Sequence, residues 1–135
     1  MQDRSMFVTL PVRDVARSRA FYEALGFSLD PTMSSDSGAC LVINERTRVM
    51  MVSEAVFTSL TTRAIGDRST HLQALFALSC DSRAEVDQLV QRALAHGATT
   101  EDEPTEHGFM YDWSFFDPDG HGWGVACMTA SDGTA

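Results

Sequence analysis

The chain has 135 residues, which suits one domain whose hydrophobic core buries about two-thirds of the unfolded surface. Its hydrophobic fraction of 44% and charged fraction of 21% are ordinary for a water-soluble protein, and no apolar segment approaches the roughly 20 residues that span a bilayer. The formal net charge of −9, from 19 acidic and 10 basic side chains, disfavours nucleic acid as a partner, because no basic run is present to neutralise phosphates.

The first half of the chain predicts a strand, a helix and a hairpin. Residues 6–12 form an apolar run that ends at a Pro-Val pair. Asp14 is a suitable N-cap for the helix that follows, and Gly26 lies where a left-handed residue ends such a helix. Two apolar runs, 39–43 and 49–52, are separated by a polar stretch that contains Asn44-Glu45-Arg46-Thr47, and together they predict the hairpin. A polar connector with a short helical patch at 55–60 follows.

The second half repeats this order. Residues 72–80 predict a strand, and Ser82 with Glu85 forms a capping box. A helical apolar stripe then ends at Gly97. The remaining apolar runs predict strands at 109–111, 113–116 and 123–128, with residues 117–120 as a turn.

The repeat predicts an α+β fold built from two βαβββ modules, because one module alone leaves a sheet face unburied. Module one spans about residues 6–54, the connector spans 55–70 and module two spans about 71–128.

Three motifs carry a resemblance to a known family. They are LPVRD at 10–14, FYEALGF at 21–27 and FFDPDGHGW at 115–123. Together they resemble the vicinal-oxygen-chelate superfamily, which includes glyoxalase I, bleomycin-resistance proteins and extradiol dioxygenases. The resemblance covers residues 7–128 and implies a single domain whose curved mixed sheet encloses a cleft, and a homodimer.

The resemblance also locates the positions at which metal-dependent members carry ligands. They correspond here to Phe7, Met51, Leu75 and Gly124. Phenylalanine and leucine have no donor atoms, glycine has no side chain, and a thioether is a poor ligand for the hard and borderline metals of this superfamily. We therefore expect neither a metal nor another cofactor.

Two residues near the predicted cleft mouth are weak catalytic candidates. His107 and Tyr111 could act as acid or base, although no nucleophile–base pair is visible in the sequence. Glu106, His107 and Asp112 match no known metal-ligand spacing. The other histidines, His71, His96 and His121, are explained by strand, helix-end and turn positions.

Strand alternation predicts which side chains line the cleft. Gly122 and Gly124 would share one face of the closing strand, and two glycines in a strand suggest that something approaches closely. We expect a mainly apolar pocket for a small apolar or aromatic molecule, with an aromatic side chain available for stacking. The predicted ligand-binding residues are Phe7, Thr9, Met51, Leu75, Trp113, Gly122 and Gly124.

The three cysteines, Cys40, Cys80 and Cys127, match no zinc or redox spacing, so reduced thiols are expected. The N-terminus has no basic stretch followed by an apolar run, so no signal peptide is expected and the predicted location is the cytoplasm.

The favoured function is metal-free binding of a small molecule, and whether the protein is an enzyme stays open. The alternative is a lyase, isomerase or dioxygenase of the glyoxalase type that acts on an unknown small substrate. A structural interaction domain is a third possibility, but no exposed apolar stripe or charged motif in the sequence supports it.

Overall fold

The computed structural model describes residues 3–128. The chain divides into two compact units, Met1–Gly66 and Asp67–Ala135, which we call the first and second unit. Within the described part of the chain, no helix is long and apolar enough to cross a membrane.

The first unit is a four-stranded mixed sheet with two helices. Its sheet order is β1-β4-β3-β2, with β1 parallel to β4 and the other pairs antiparallel. The elements are β1 (Met6–Val12), α1 (Val15–Ala24), β2 (Ser28–Leu29), a short 3-10 turn (Pro31–Met33), β3 (Gly38–Val42), β4 (Thr47–Ser53) and α2 (Glu54–Leu60).

The second unit has the same topology. Its sheet order is β5-β8-β7-β6, with β5 parallel to β8 and the other pairs antiparallel. The elements are β5 (Leu75–Cys80), α3 (Arg83–Ala95), β6 (Thr105–Glu106), β7 (Met110–Phe116) and β8 (Gly122–Met128). The predicted α+β fold of two βαβββ modules is confirmed.

Some element bounds differ from the prediction. The strand expected at 72–80 begins only at Leu75, and the two runs at 109–111 and 113–116 are one continuous strand, β7. The two-residue strands β2 and β6 were not predicted, because such short segments carry no periodic pattern.

The predicted ends of both main helices are confirmed. Asp14 Oδ1 accepts a hydrogen bond from the Arg17 amide at 3.1 Å, and Ser82 Oγ accepts one from the Glu85 amide at 3.1 Å. Gly26 and Gly97 follow the helices with φ of 98° and 106°, a left-handed conformation that glycine adopts without strain.

Replacing Ser82 with alanine should lower the free energy of unfolding by about 1 kcal/mol, because the Glu85 amide loses its acceptor. Urea unfolding of the variant measures the loss. Ser5→Ala is the control, since Ser5 is exposed and lies outside every helix and strand. Equal stability of the two variants would contradict the capping role.

Each sheet buries one face against a helix. In the first unit, α1 packs against β2, β3 and β4, and the fully buried Leu41 and Met51 lie in those strands. In the second unit, α3 packs against β5, β7 and β8, and the buried Trp123 and Val125 lie in β8. The apolar cores therefore form on the helix side of each sheet.

The turn between β7 and β8 is held by buried polar groups. Asp117 Oδ1 accepts hydrogen bonds from the amides of Asp119 and His121, both at 2.9 Å. Arg68 Nε donates to the Asp119 carbonyl at 3.0 Å, and its Nη2 lies 3.7 Å from Asp119 Oδ1. Gly120 has φ of 90°, and a Cβ there would lie 2.8 Å from the Arg68 carbonyl oxygen. The FFDPDGHGW motif is thus a tightly packed turn against the segment that precedes β5.

Candidate functional site

One face of the second sheet is not covered by α3, and we call it the open face. Strand register assigns its side chains, since residues paired across neighbouring strands project to the same side. Leu75 is 72% exposed on this face, and Ala77 and Ser79 are exposed as well. The open face consists of Leu75, Ala77, Ser79, Gly122, Gly124, Ala126, Met128, Met110, Asp112, Ser114 and Phe116.

The two glycines of β8 differ in the space above them. A Cβ added at Gly122 would lie 2.7 Å from Leu75 Cδ2 and 3.3 Å from a ring carbon of Phe116, so that position is covered. A Cβ at Gly124 would meet only the Phe76 carbonyl oxygen, at 3.8 Å. The free space on the open face is therefore at Gly124.

The row through Gly124 contains only small side chains. Gly124 pairs with Ala77 on one side and with Ser114 on the other. The next row pairs Ala126 with Ser79 and Asp112. The small side chains of these two rows form a floor next to the apolar row that contains Leu75, and Asp112 lies at its edge.

A histidine–carboxylate pair borders this floor. His107 Nε2 lies 3.2 Å from Asp112 Oδ1, and both side chains are 37% exposed. The Met110 carbonyl accepts a hydrogen bond from the His107 amide at 2.8 Å. His107, a catalytic candidate from the sequence, therefore lies beside the open face through its contact with Asp112.

The segment that carries His107 is anchored to α3. Arg83 Nε donates to Glu106 Oε1 at 2.7 Å, and Glu106 Oε2 accepts a hydrogen bond from the Gly108 amide at 3.0 Å. The bond from Gly108 and then the Arg83 guanidinium lower the pKa of Glu106. Glu106 thus stays ionised and fixes the backbone on both sides of His107.

Two aromatic residues that the sequence associated with the ligand lie on the opposite face. Trp113 pairs with Val125 on the helix side, and its Nε1 donates to the Asp102 carbonyl at 3.1 Å. Tyr111 donates from its hydroxyl to Asp87 Oδ1 on α3 at 2.6 Å. The bond to Asp87 raises the pKa of Tyr111 to about 12, so this phenol is a poor general base. Trp113 therefore projects to the opposite face of the sheet from Gly124, although the sequence grouped the two as ligand-binding residues.

Raised pKa values on the helix side predict a loss of stability in alkaline solution. Burial, followed by the charge of Glu85, raises the pKa of the Cys80 thiol from 9.0 to about 12, and the pKa of Tyr111 rises from 10.0 to about 12. Between about pH 9 and pH 12 the folded chain keeps protons that the unfolded chain has released, so the free energy of unfolding should fall as pH rises. Urea unfolding at a series of pH values measures this slope. The slope should be shallower in Tyr111→Phe, and an unchanged slope would contradict the assignment.

In the first unit the register separates the predicted ligand residues. Phe7, 51% exposed, and Thr9 lie on one face, where Thr9 pairs with Met50. Met51 pairs with Leu10 on the other face and is fully buried. Met50 is also the equivalent of Gly124 in the first unit. Thr9 precedes α1 by the same number of residues as Ala77 precedes α3, and Thr9 pairs with Met50 as Ala77 pairs with Gly124. The side chain next to Phe7 and Thr9 is therefore Met50 and not Met51.

A groove of about 730 Å³ lies beside α1 in the first unit, and we call it the α1 groove. Most of the residues that line it are polar or charged, among them Arg13, Arg19, Glu23 and Asp36. Arg19 Nη2 already donates to the Ser35 carbonyl at 2.9 Å. None of the predicted ligand-binding residues lines it, so the α1 groove is not the site that the sequence predicted.

Comparisons with known proteins agree with this fold. The family model of the Glyoxalase/Bleomycin resistance protein/Dioxygenase superfamily matches residues 5–125. No match to this chain was found among curated proteins.

Three solved structures illustrate the likeness. A hypothetical protein from S. aureus is 27% identical with a TM-score of 0.80, over 94% of this chain and 95% of that chain. A glyoxalase-related enzyme from Fulvimarina pelagi is 21% identical with a TM-score of 0.79, over 99% and 96%. The fosfomycin resistance protein FosX from Listeria monocytogenes is 20% identical with a TM-score of 0.68, over 96% and 94%. With the family model matching most of its length, the chain belongs to the glyoxalase/bleomycin resistance protein/dioxygenase superfamily.

Proposed function

We propose that this protein binds a small apolar or aromatic molecule on the open face, above Gly124, without a metal. The observation that carries the proposal is the free space at Gly124 on a face whose neighbouring side chains are small. Leu75, exposed at one end of this floor, would cover one edge of a bound ring.

Removing apolar surface from contact with water is energetically favourable. Burial of apolar area contributes roughly 25 cal/mol per Å². A ring bound on Gly124, Ala126 and Ala77 would bury apolar surface of both the ring and the sheet. A strand glycine without a neighbour would otherwise weaken the sheet, since it has no side chain to pack.

The residues at the metal-ligand positions of the family do not suit a divalent ion. Phe7, Leu75 and Gly124 provide no donor atom, and the remaining position provides a thioether whether it is Met50 or Met51. Among residues 3–128, no group of three or more His, Cys, Asp and Glu side chains is arranged to hold a metal. No step of the proposed function passes through a metal.

A titration with benzofuran, an apolar fused-ring molecule without a hydrogen-bond donor, tests the proposal. We expect a dissociation constant on the order of 0.1 mM by isothermal titration calorimetry. The constant should not change after treatment with a chelator, and elemental analysis should give no stoichiometric metal. A binding that disappears with the chelator and returns with a divalent metal would contradict the proposal.

A lyase, isomerase or dioxygenase is the second candidate. The His107–Asp112 pair favours it, because a carboxylate that orients an imidazole is a common general acid–base arrangement. The fosfomycin resistance and glyoxalase-related names belong to the similar proteins, and fold alone does not determine the chemistry.

We also propose a homodimer in the cytoplasm. Large apolar side chains stay exposed outside the open face, including Met6, Leu60 and Phe109, and a second copy would cover some of them. The free state of all three cysteines supports a reducing compartment. Analytical ultracentrifugation distinguishes the dimer from a monomer.

A further inference from the structure

We propose that Asp112 determines the charge of the ligand, so that the open face binds an aromatic molecule that carries a cationic group on a short chain. The inference rests on the proposed function and adds the chemical class of the ligand: an aromatic amine in its ammonium form. It follows from the position of the Asp112 carboxylate, from an oxygen of that carboxylate without a hydrogen-bond partner, and from the charges around the floor.

Strand register places Asp112 at the edge of the floor and on the same side of the sheet. Asp112 pairs with Ala126 in the row next to Gly124. Paired residues on neighbouring antiparallel strands have Cβ atoms about 5 Å apart, and diagonal neighbours are about 7–8 Å apart. Asp112 is thus a direct neighbour of Ala126 and a diagonal neighbour of Gly124. A short chain on a ring that lies on these two residues therefore reaches the carboxylate.

One oxygen of the Asp112 carboxylate is available to a ligand. Oδ1 accepts a hydrogen bond from His107 Nε2 at 3.2 Å. Within residues 3–128, no group forms a hydrogen bond with Oδ2. The side chain of Asp112 is 37% exposed, so an incoming ammonium group can contact it. Because His107 already restricts the rotation of the carboxylate, binding costs little additional ordering of this side chain.

The charges around the floor favour a cation over an anion. No residue of the open face, all of which lie in the described part of the chain, is basic. A second carboxylate borders the row through Gly124, since Ser114 Oγ donates to Asp102 Oδ2 at 2.9 Å. Both rows of the floor therefore end at a carboxylate on the β7 side. The apolar floor alone would accept any flat ring, whereas these carboxylates attract a ring with a positive charge and repel one with a negative charge.

Tryptamine, tryptophol and indole-3-acetate form a matched series of probes, because the same fused ring carries a short chain that ends in an ammonium, a hydroxyl or a carboxylate group. Calorimetric titrations are made at about pH 8, where a histidine ordinarily carries no charge that would offset a neighbouring carboxylate. We expect the wild-type protein to bind tryptamine about 3- to 10-fold more tightly than tryptophol, the gain of one partly exposed ion pair. Indole-3-acetate should bind more weakly than tryptophol.

Asp112→Asn removes the charge and keeps the shape of the side chain. The amide oxygen still accepts a hydrogen bond from His107 Nε2, so the surrounding contacts should persist. In this variant the preference for tryptamine should fall to less than about 2-fold, while the affinity for tryptophol stays unchanged. A structural role alone would weaken both probes equally.

Asp87→Asn is the matched control, because it makes the same change of charge on α3, on the opposite side of the sheet. The asparagine oxygen can still accept the hydrogen bond from the Tyr111 hydroxyl. This variant should keep the preference for tryptamine. Thermal unfolding checks that both variants are folded.

The outcomes separate the two proposals. Equal affinity of the wild type for tryptamine and tryptophol, or a preference that persists in Asp112→Asn, would overturn this inference while benzofuran binding upheld the proposed function. A preference that is lost in Asp87→Asn as well would also overturn it, because the net charge of the protein would then explain the effect. Absence of binding for tryptamine, tryptophol and benzofuran would overturn both proposals.

Discussion

Replacing Arg68 with methionine should lower the free energy of unfolding by about 3 kcal/mol, because it leaves the buried Asp119 carboxylate without its guanidinium. The side chains of Arg68 and Asp119 are only 9% and 1% exposed, so water cannot replace the lost partner. The change also removes the hydrogen bond from Arg68 Nε to the Asp119 carbonyl. Urea unfolding followed by tryptophan fluorescence measures the loss.

Arg63→Met is the matched control for this substitution. Arg63 is exposed and lies five residues earlier, and its replacement should change stability by less than about 0.5 kcal/mol. Arg68→Lys keeps the charge without the planar fork and should give an intermediate loss. A loss under about 1 kcal/mol for Arg68→Met would mean that the pair contributes no more than a surface salt bridge does.

Replacing Gly124 with leucine should abolish benzofuran binding while leaving the fold intact. A leucine side chain would occupy the space above the floor, and a Cβ at this position meets nothing closer than the Phe76 carbonyl oxygen at 3.8 Å. The free energy of unfolding should therefore change by less than about 1 kcal/mol, in contrast to the overpacking of a filled core. Calorimetric titration and urea unfolding of the same preparation measure both quantities.

Gly66→Leu is the matched control, since Gly66 also has open space around it but lies outside the open face. This variant should bind benzofuran as the wild type does. Loss of binding in both variants would indicate a non-specific effect of the added leucine. Retained binding in Gly124→Leu would place the ligand elsewhere.

Much of the fold was predictable because local signals agree with it. Asp14 and Ser82 cap their helices, Gly26 and Gly97 follow them, and each signal is a short-range requirement of the backbone. The repeat of these signals in the two halves predicted the paired modules, since the same order of elements gives the same sheet topology.

Which side chains of β4 face the helix and which face away could not be predicted. Residues 49–52 are all apolar, so alternation gives no indication of which side chain faces the helix, and Met51 rather than Met50 was assigned to the ligand face. Comparing β4 with its equivalent β8 shows which side chains face the helix. This comparison requires the register of both parallel strand pairs, β1 with β4 and β5 with β8.

The face of Trp113 was predictable from the hairpin, but its aromatic character suggested stacking with a ligand. Since Phe116 pairs with Gly122 across the turn, Trp113 must pair with Val125 on the helix side. The polar edge of the site depends on contacts between distant residues, such as Arg83 with Glu106, which no local pattern encodes.

The most direct measurement of the central claim is the set of amide NMR shifts caused by benzofuran in isotopically labelled protein. We expect the largest changes at Ala77, Ser114 and Gly124, the row of small residues on the open face. Changes confined to the α1 groove or to α3, or no changes at the solubility limit of benzofuran, would contradict the account.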